Sequence, residues 1–329
     1  MSDTVKSILI ILLSFFFVKQ SYSDIYFNNK IENICGGIEE KIDSYYPKEI
    51  NIQTRRPDNW YRNVGEIIKA KRNTPWAKID SNLKSFFEAI IEVKFENEIT
   101  CKFNGRVRLH GGRFDHYQNE HFFSLRVKID NGHILNNDTF TFYVPDSRNG
   151  DNEIFLSNLF KQIGILSPST GYINLSVNGY RTNSYIFQER HSIPFLIKNN
   201  LIPSSILSSN RKFEFEKLQV KKFFTARIDG GSKDLGLNKT YGINHPLRDE
   251  VFFNSLSKYN YILYKTYMNN NFNDEHYYIN FSDQNFSKII DMEKISVFDS
   301  ILVAVGGGSG LEADDRRFYY DPIYDKLIP

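Results

Sequence analysis

The chain has 329 residues, of which 41% are hydrophobic and 15% aromatic, so it can form a packed core and wholesale disorder is excluded. This length is enough for one large domain or two ordinary ones. The formal net charge of +2 is too small to indicate nucleic-acid binding by itself, and no nucleic-acid partner is expected.

The first 23 residues have the pattern of a secretory signal peptide. Lys6 precedes an apolar run over residues 8–18, and small residues follow at Ser21 and Ser23. This order predicts cleavage near Ser23 and a mature protein that is secreted, periplasmic or on the cell surface. The apolar run is short for a membrane span, although an uncleaved anchor is the alternative, and no later stretch is predicted to cross a membrane.

Residues 24–85 have few regular patterns and predict an irregular N-terminal extension with one or two short helices. The chain has two cysteines, Cys35 in this extension and Cys101 beyond it. In an oxidising compartment a bond between them is slightly favoured over two unrelated buried thiols, and the sequence does not decide between these alternatives.

An antiparallel sheet with short turns is predicted over about residues 86–145. Asn104-Gly105 and Asn131-Gly132 have the composition of type I′ hairpin turns, because both residue types tolerate positive φ. The predicted strands cover residues 89–95, 100–103, 106–110, 123–130 and 139–144.

After this sheet the spacing of apolar residues becomes mainly helical. An apolar stripe predicts a helix that ends at Gly164, and a further hairpin over residues 172–189 turns at Asn178-Gly179. Two more helices are predicted, over about residues 246–269 and from Met292 to Val305. Strands that precede a mostly helical part from about residue 190 predict an α+β fold with two lobes.

The stretch RVRLHGG, residues 106–112, is the main candidate for chemistry. A period of two places Arg108 on the face opposite its apolar neighbours, and the strand over residues 123–130 does the same with Arg126 and Lys128. Two neighbouring strands could therefore share one cationic face.

Gly111 and Gly112 follow this strand and would let a ligand approach backbone N–H groups closely. Cationic side chains together with exposed amides suit a polyphosphate. The simpler alternative is a solvated basic face followed by an ordinary glycine turn.

Glu189 ends the predicted hairpin on the strand face that also carries Tyr185 and Phe187. A partly buried carboxylate needs a cation, for which Arg126 and Lys128 are candidates. The alternative is a solvated pair between Glu189 and its neighbour Arg190.

Asp314 and Asp315 follow a glycine-rich run over residues 306–310. Adjacent carboxylates in a loop could hold Mg²⁺ or accept a substrate proton, and a solvated turn is the alternative. The run lacks the Gly-Lys-Ser/Thr ending of a phosphate loop. The histidines show no zinc-binding spacing. The paired carboxylates of a glycosidase have no characteristic spacing in sequence, so that class stays open.

The order of these motifs resembles the CotH kinase-like family, secreted or spore-coat proteins with an atypical protein-kinase-like fold. The similarity covers roughly residues 89–329. It rests on the Arg-rich strand and its Gly turn, the basic strand, the apolar helix 154–163, the run from Asn178-Gly179 through Tyr185 to Glu189, and the tail with FYYD (318–321) and Ile328-Pro329.

The resemblance implies a two-lobed kinase-like domain over residues 86–329 that binds ATP with Mg²⁺ or Mn²⁺ and phosphorylates Ser or Thr of an envelope or extracellular protein. Arg108, Gly111 and Gly112 would belong to the turn over the phosphates. Arg126 or Lys128 would be the phosphate cation, with Glu189 as its partner. Asp314 and Asp315 would lie in the catalytic segment, with Asp315 as metal ligand.

Three departures from the family pattern are visible. His110 stands where the family commonly has Arg, and Phe122-Phe123 replace the Lys pair before Ser124. The metal-binding Asp of the family follows the hydrophobic-Pro pair, which here is Ile328-Pro329, so a C-terminally incomplete domain is expected. A non-catalytic surface or adhesion protein is therefore the alternative, and a secreted carbohydrate-active enzyme is a third possibility.

Overall fold

The computed structural model describes residues 46–73, 79–112, 114–119, 121–130, 132–135, 137–213, 223–231, 246–269, 278–279, 281, 283–313 and 315–329. The signal peptide predicted over residues 1–23, Cys35, Asn131 and Asp314 lie outside the described residues. The chain divides into two compact units. The first is Met1–Leu159 with Pro168–Arg190, and the second is Phe160–Ser167 with His191–Pro329.

The first unit is built on a closed seven-stranded barrel with the strand order β1-β2-β3-β4-β5-β7-β6. Neighbouring strands are antiparallel except for the parallel pair of β1 and β6, which closes the barrel. The strands are β1 (Pro47–Thr54), β2 (Phe87–Phe95), β3 (Thr100–Leu109), β4 (Leu125–Ile129), β5 (Thr139–Tyr143), β6 (Thr170–Val177) and β7 (Tyr180–Glu189). Its described helices are α1 (Pro57–Asn73) and the greater part of α2 (Asp151–Gln162), whose last three residues belong to the second unit.

The interior of the barrel is filled with apolar side chains. Alternate residues of the strands, such as Ile91, Val127 and Phe140, are almost wholly buried in one core. Trp60 of α1 belongs to the same core, with its ring centroid 5.3 Å from that of Phe87. A barrel of about eight strands is just wide enough for side chains to fill it, so the interior leaves little room for a ligand.

The predicted two-lobed, kinase-like α+β fold is wrong, because the first unit is a closed barrel. The N-terminal extension, predicted to be irregular over residues 24–85, supplies both β1 and α1. Ile50 pairs with Val93 on one side and with Leu175 on the other. A pairing between residues so far apart in sequence leaves no local pattern, so the sheet could not be recognised as closed.

The hairpin turns were predicted with mixed success. Asn178 and Gly179 have φ values of 51° and 83° between the paired residues Val177 and Tyr180, which confirms this turn. The turn predicted at Asn104-Gly105 is wrong, because β3 runs straight through it. Gly105 is instead a close-packing position, where a Cβ atom would lie 2.4 Å from the carbonyl oxygen of Lys128.

The second unit has a four-stranded sheet in the order β11-β10-β8-β9. Its strands are β8 (Ser205–Phe213), β9 (Phe223–Gly231), β10 (Arg317–Asp321) and β11 (Lys326–Ile328). The helices in its described part are α3 (Ile193–Lys198), α4 (Pro246–Asn269) and α5 (Met292–Ala304). The bounds of α4 and α5 confirm the two helices predicted in this region.

The described core of the second unit includes a buried arginine. Arg316 is 2% exposed and forms an ion pair with Asp299. Its guanidinium carbon also lies 5.1 Å from the ring centroid of Phe281 and 5.6 Å from that of Phe298. A buried charge held in this way has a structural role, because the pair and the rings replace its lost hydration.

Two further features bear on the sequence predictions. Cys101 on β3 is fully buried and is disulfide-bonded. None of the helices in the described part of the chain has the length and apolarity needed to cross a membrane.

Candidate functional site

The outer face of β3 and β4 carries four cationic side chains in register. Arg106 pairs with Lys128, and Arg108 pairs with Arg126. The residues between them, such as Val107 and Val127, belong to the barrel core, so the arginines point away from it. Arg108 and Arg126 are therefore on one face, as the alternation predicted.

The two cationic pairs differ in their surroundings. Arg106 binds Asp130, with 2.9 Å between its Nη2 and the carboxylate oxygen Oδ1. Nε of Arg108 is buried and has no hydrogen-bond partner in the described part of the chain, while its guanidinium carbon lies 5.2 Å from the ring centroid of Phe86. Like charges placed opposite each other on neighbouring strands are destabilising. Arg108 and Arg126 are thus like charges at directly opposite positions of neighbouring strands.

His110, directly after β3, lies where further polar groups converge. Its Nε2 is 3.5 Å from Nη2 of Arg126 and 3.5 Å from the hydroxyl oxygen of Tyr143. Tyr143 ends β5 and accepts a hydrogen bond of 2.9 Å from Nη2 of Arg148. The guanidinium carbon of Arg148 is 4.2 Å from the centroid of the same ring. We call Arg108, Arg126, Arg148 and His110 the cationic cluster.

The electrostatic potential in the cationic cluster is positive. Burial holds the pKa of His110 well below its ordinary value, and Arg126, Arg108, His116 and Arg148 lower it further, in that order. The imidazole is therefore neutral at pH 7. Burial also lowers the pKa of Arg108. Lost hydration thus disfavours the charged forms of Arg108 and His110, and neighbouring cationic side chains disfavour the charged form of His110 further.

Gly111 shapes the cluster by letting a ring approach the backbone. Its φ is 102°, and a Cβ atom would lie 2.2 Å from the ring of His116. Nδ1 of His116 is 3.0 Å from the hydroxyl oxygen of Ser124, which accepts a hydrogen bond from the backbone N–H of Val144. Gly112 uses its carbonyl oxygen to accept a hydrogen bond from the backbone N–H of Ile79.

Glu189 lies on the inner face of the barrel wall, whereas its expected partners Arg126 and Lys128 lie on the outer face, which corrects the shared face expected from the sequence. Glu189 pairs with Phe140, and its strand face is that of Phe187, which lies in the barrel core. Glu189 is 2% exposed, and its Oε2 accepts a hydrogen bond of 2.8 Å from the backbone N–H of Ser169. This hydrogen bond ties β7 to the segment before β6.

The predicted metal-binding segment lies in the other unit. Asp315 is exposed, and its backbone N–H donates to the carbonyl oxygen of Glu312. Asp314 is outside the described residues. Among the residues that the structure describes, no group of three or more His, Cys, Asp or Glu side chains could hold a metal ion.

No protein-family model matches the sequence, and a search of curated proteins finds no matching relative.

Sequence reasoning missed three residues of the site: Tyr143, Arg148 and His116. Tyr143 could have been found, because it continues the outward alternation of Thr139 and Thr141 on β5. Arg148 and His116 are the last residues of short helical turns, Pro145–Arg148 and Phe114–His116, whose direction no periodic pattern reveals.

Proposed function

We propose that the chain is an exported binding protein whose barrel binds an anionic group, of the phosphate or sulfate kind, at the cationic cluster. The observation that carries this proposal is the direct pairing of Arg108 with Arg126 beside His110 and Arg148. Binding of this kind is a form of the non-catalytic role that the sequence left as an alternative.

A bound oxyanion would offset the unfavourable free energy of gathering these cations. Guanidinium groups bind phosphate and sulfate oxygens through paired, charge-assisted hydrogen bonds. The neutral imidazole of His110 and the hydroxyl of Tyr143 add two groups that can donate or accept a hydrogen bond at the same place. The cluster thus combines charge with directional groups, which a merely solvated basic face lacks.

Phosphotransfer from ATP to a Ser or Thr of an envelope protein stays a prediction of the resemblance alone. The phosphates of a nucleotide are one example of the proposed ligand, and a Mg²⁺ or Mn²⁺ ion would supply further charge neutralisation if one were held. The present proposal needs only the positive charge and the hydrogen-bonding groups of the cluster, which support binding of an anionic group.

The test compares two arginines of one strand. Titration calorimetry with inorganic phosphate, sulfate, pyrophosphate and ATP should show binding that Arg108→Gln weakens at least tenfold. Arg106→Gln is the matched control, because Arg106 lies two residues away on the same face but is paired with Asp130. It should change the affinity less than twofold.

Equal losses in the two variants would show that binding follows surface charge and not the cluster, and absence of binding by all four ligands would refute the proposal. A requirement for Mg²⁺ together with ATP, and no response to phosphate or sulfate, would favour the nucleotide-specific site implied by the resemblance.

A further inference from the structure

A second candidate site lies on the first unit, in an open groove of about 680 Å³ between helix α1 and the turn of the β6–β7 hairpin. Tyr61, Gly65, Ile68 and Lys69 line it from the helix, and Tyr180 and His121 line it from the other side. The volume lies within the range of about 300–1,000 Å³ that is usual for small-molecule sites. The groove shares no residue with the cationic cluster.

Three rings form the wall of the groove. His121 stacks on Tyr180, with 4.0 Å between ring centroids and 11° between the planes. Tyr61 meets both edge-on, at centroid distances of 6.2 Å and 6.0 Å. Tyr180 is 50% exposed, so part of an ordered aromatic surface faces solvent. Burial keeps the pKa of Tyr61 above its ordinary value, so its hydroxyl stays protonated.

Gly65 gives the groove its depth. It lies in the middle of α1, where glycine is less favourable than alanine. A Cβ atom at this position would meet nothing within 4 Å, so no neighbour in the described structure requires a glycine there. A residue that weakens its own helix without helping the packing leaves the helix backbone open towards the groove, where a ligand could lie against it.

The charge of the groove selects the kind of ligand. Lys69 is exposed on the same helix face as Tyr61 and Gly65, and none of the described residues that line the groove is a carboxylate. A cationic ligand would be repelled by Lys69. A ligand with a flat apolar face, hydroxyl groups and a negative charge would use the rings, the phenol and imidazole groups, and the ammonium group together.

We propose that this groove binds a sugar that carries a carboxylate, such as a hexuronic acid unit of an acidic polysaccharide. The C–H face of a pyranose ring stacks on an aromatic ring, and its hydroxyls form hydrogen bonds with groups such as Tyr61 and His121. The carboxylate pairs with Lys69. This inference does not depend on the cationic cluster, so either site can fail without the other.

Calorimetry on the full chain with trigalacturonic acid, and with neutral galactotriose for comparison, tests the proposal. We expect the acidic trimer to bind and Gly65→Leu, which fills the groove, to weaken it at least tenfold. Lys69→Met should reduce the acidic trimer to the level of the neutral one. Arg62→Gln, which removes a positive charge from the same helix outside the groove, should change the affinity less than twofold.

Gly65→Leu should fold, because the position is exposed and leucine favours a helix more than glycine does. Its melting temperature, at or above that of the parent, checks this. Equal affinity for the two trimers, insensitivity to Gly65→Leu, or no binding of either trimer at millimolar concentration would overturn the proposal. Loss of binding in Arg108→Gln would also overturn it, because the sugar would then occupy the cationic cluster.

Discussion

Acid should destabilise the barrel through His110. The pKa of this imidazole in the folded protein lies well below 6.5, first because it is buried and then because Arg126, Arg108, His116 and Arg148 lie near it. In the unfolded chain the pKa returns to about 6.5. Between these two values the unfolded state binds one more proton than the folded state. The free energy of unfolding therefore falls as the pH falls through this range.

The size of the effect follows from one proton. Well below pH 6.5 each further pH unit should lower the free energy of unfolding by about 1.4 kcal/mol, until the folded-state pKa of His110 is reached. Above about pH 7.5 the contribution is constant, because both states are then neutral at this position. Replacing His110 by Gln removes the titration, so the variant should lose about 1.4 kcal/mol less than the parent between pH 7.5 and 5.5.

Denaturant unfolding at pH 7.5, 6.5 and 5.5 measures this difference. Trp60 is buried in the barrel core, so its fluorescence in a Trp76→Phe background reports the unfolding of the barrel. A bound anion stabilises the protonated imidazole, so saturating phosphate should reduce the acid dependence of the parent and leave that of His110→Gln unchanged. Identical pH dependence of the two proteins, or an NMR titration of His110 centred near pH 6.5, would refute the reasoning.

Two further predictions concern glycines and can be measured by denaturant unfolding. Gly111→Ala should destabilise the barrel by at least about 1 kcal/mol more than Gly179→Ala, because both add left-handed strain but only the first drives a Cβ atom into a neighbour, the ring of His116. Equal effects would mean that His116 moves aside at no cost. Gly105→Ala should lower the free energy of unfolding by about 1–3 kcal/mol, since its Cβ would lie 2.5 Å from Cδ1 of Ile91. Gly171→Ala on β6 is the control, because its Cβ would meet nothing within 4 Å, and its free energy of unfolding should stay within about 0.5 kcal/mol of the parent value. A tolerated Gly105→Ala would show that the barrel wall is less tightly packed than the contacts indicate.

The sequence was informative about the site wherever the deciding pattern is local. Alternation within a strand placed Arg108 and Arg126 on one face, and the register of β3 and β4 makes them direct neighbours. The same alternation correctly linked Glu189 with Tyr185 and Phe187. It could not say which face of β7 is the inner one, because that depends on pairing with β5, a strand that does not adjoin β7 in sequence.

The fold was harder to predict because its defining contacts are remote. Asn104-Gly105 has the composition of a tight turn, but the glycine lies inside a strand. It is needed there because the backbone of Lys128 is too close to leave room for a Cβ atom. Barrel closure depends on Ile50 meeting Leu175 in a parallel pair. Neither fact follows from secondary-structure propensity, because propensity reflects a residue and its sequence neighbours and not its contacts with distant strands.

The filled interior of the barrel limits where the first unit can bind a ligand. Side chains from every strand, together with Trp60, occupy the space that a larger barrel would offer to a ligand. Binding must then use the outer wall, where a closed sheet presents side chains on rigid strands with defined register. That wall carries the cationic cluster, while the groove uses a helix and a hairpin turn beside it. Both sites are thus fixed by elements that the core itself holds in place, which is the condition for preorganised recognition.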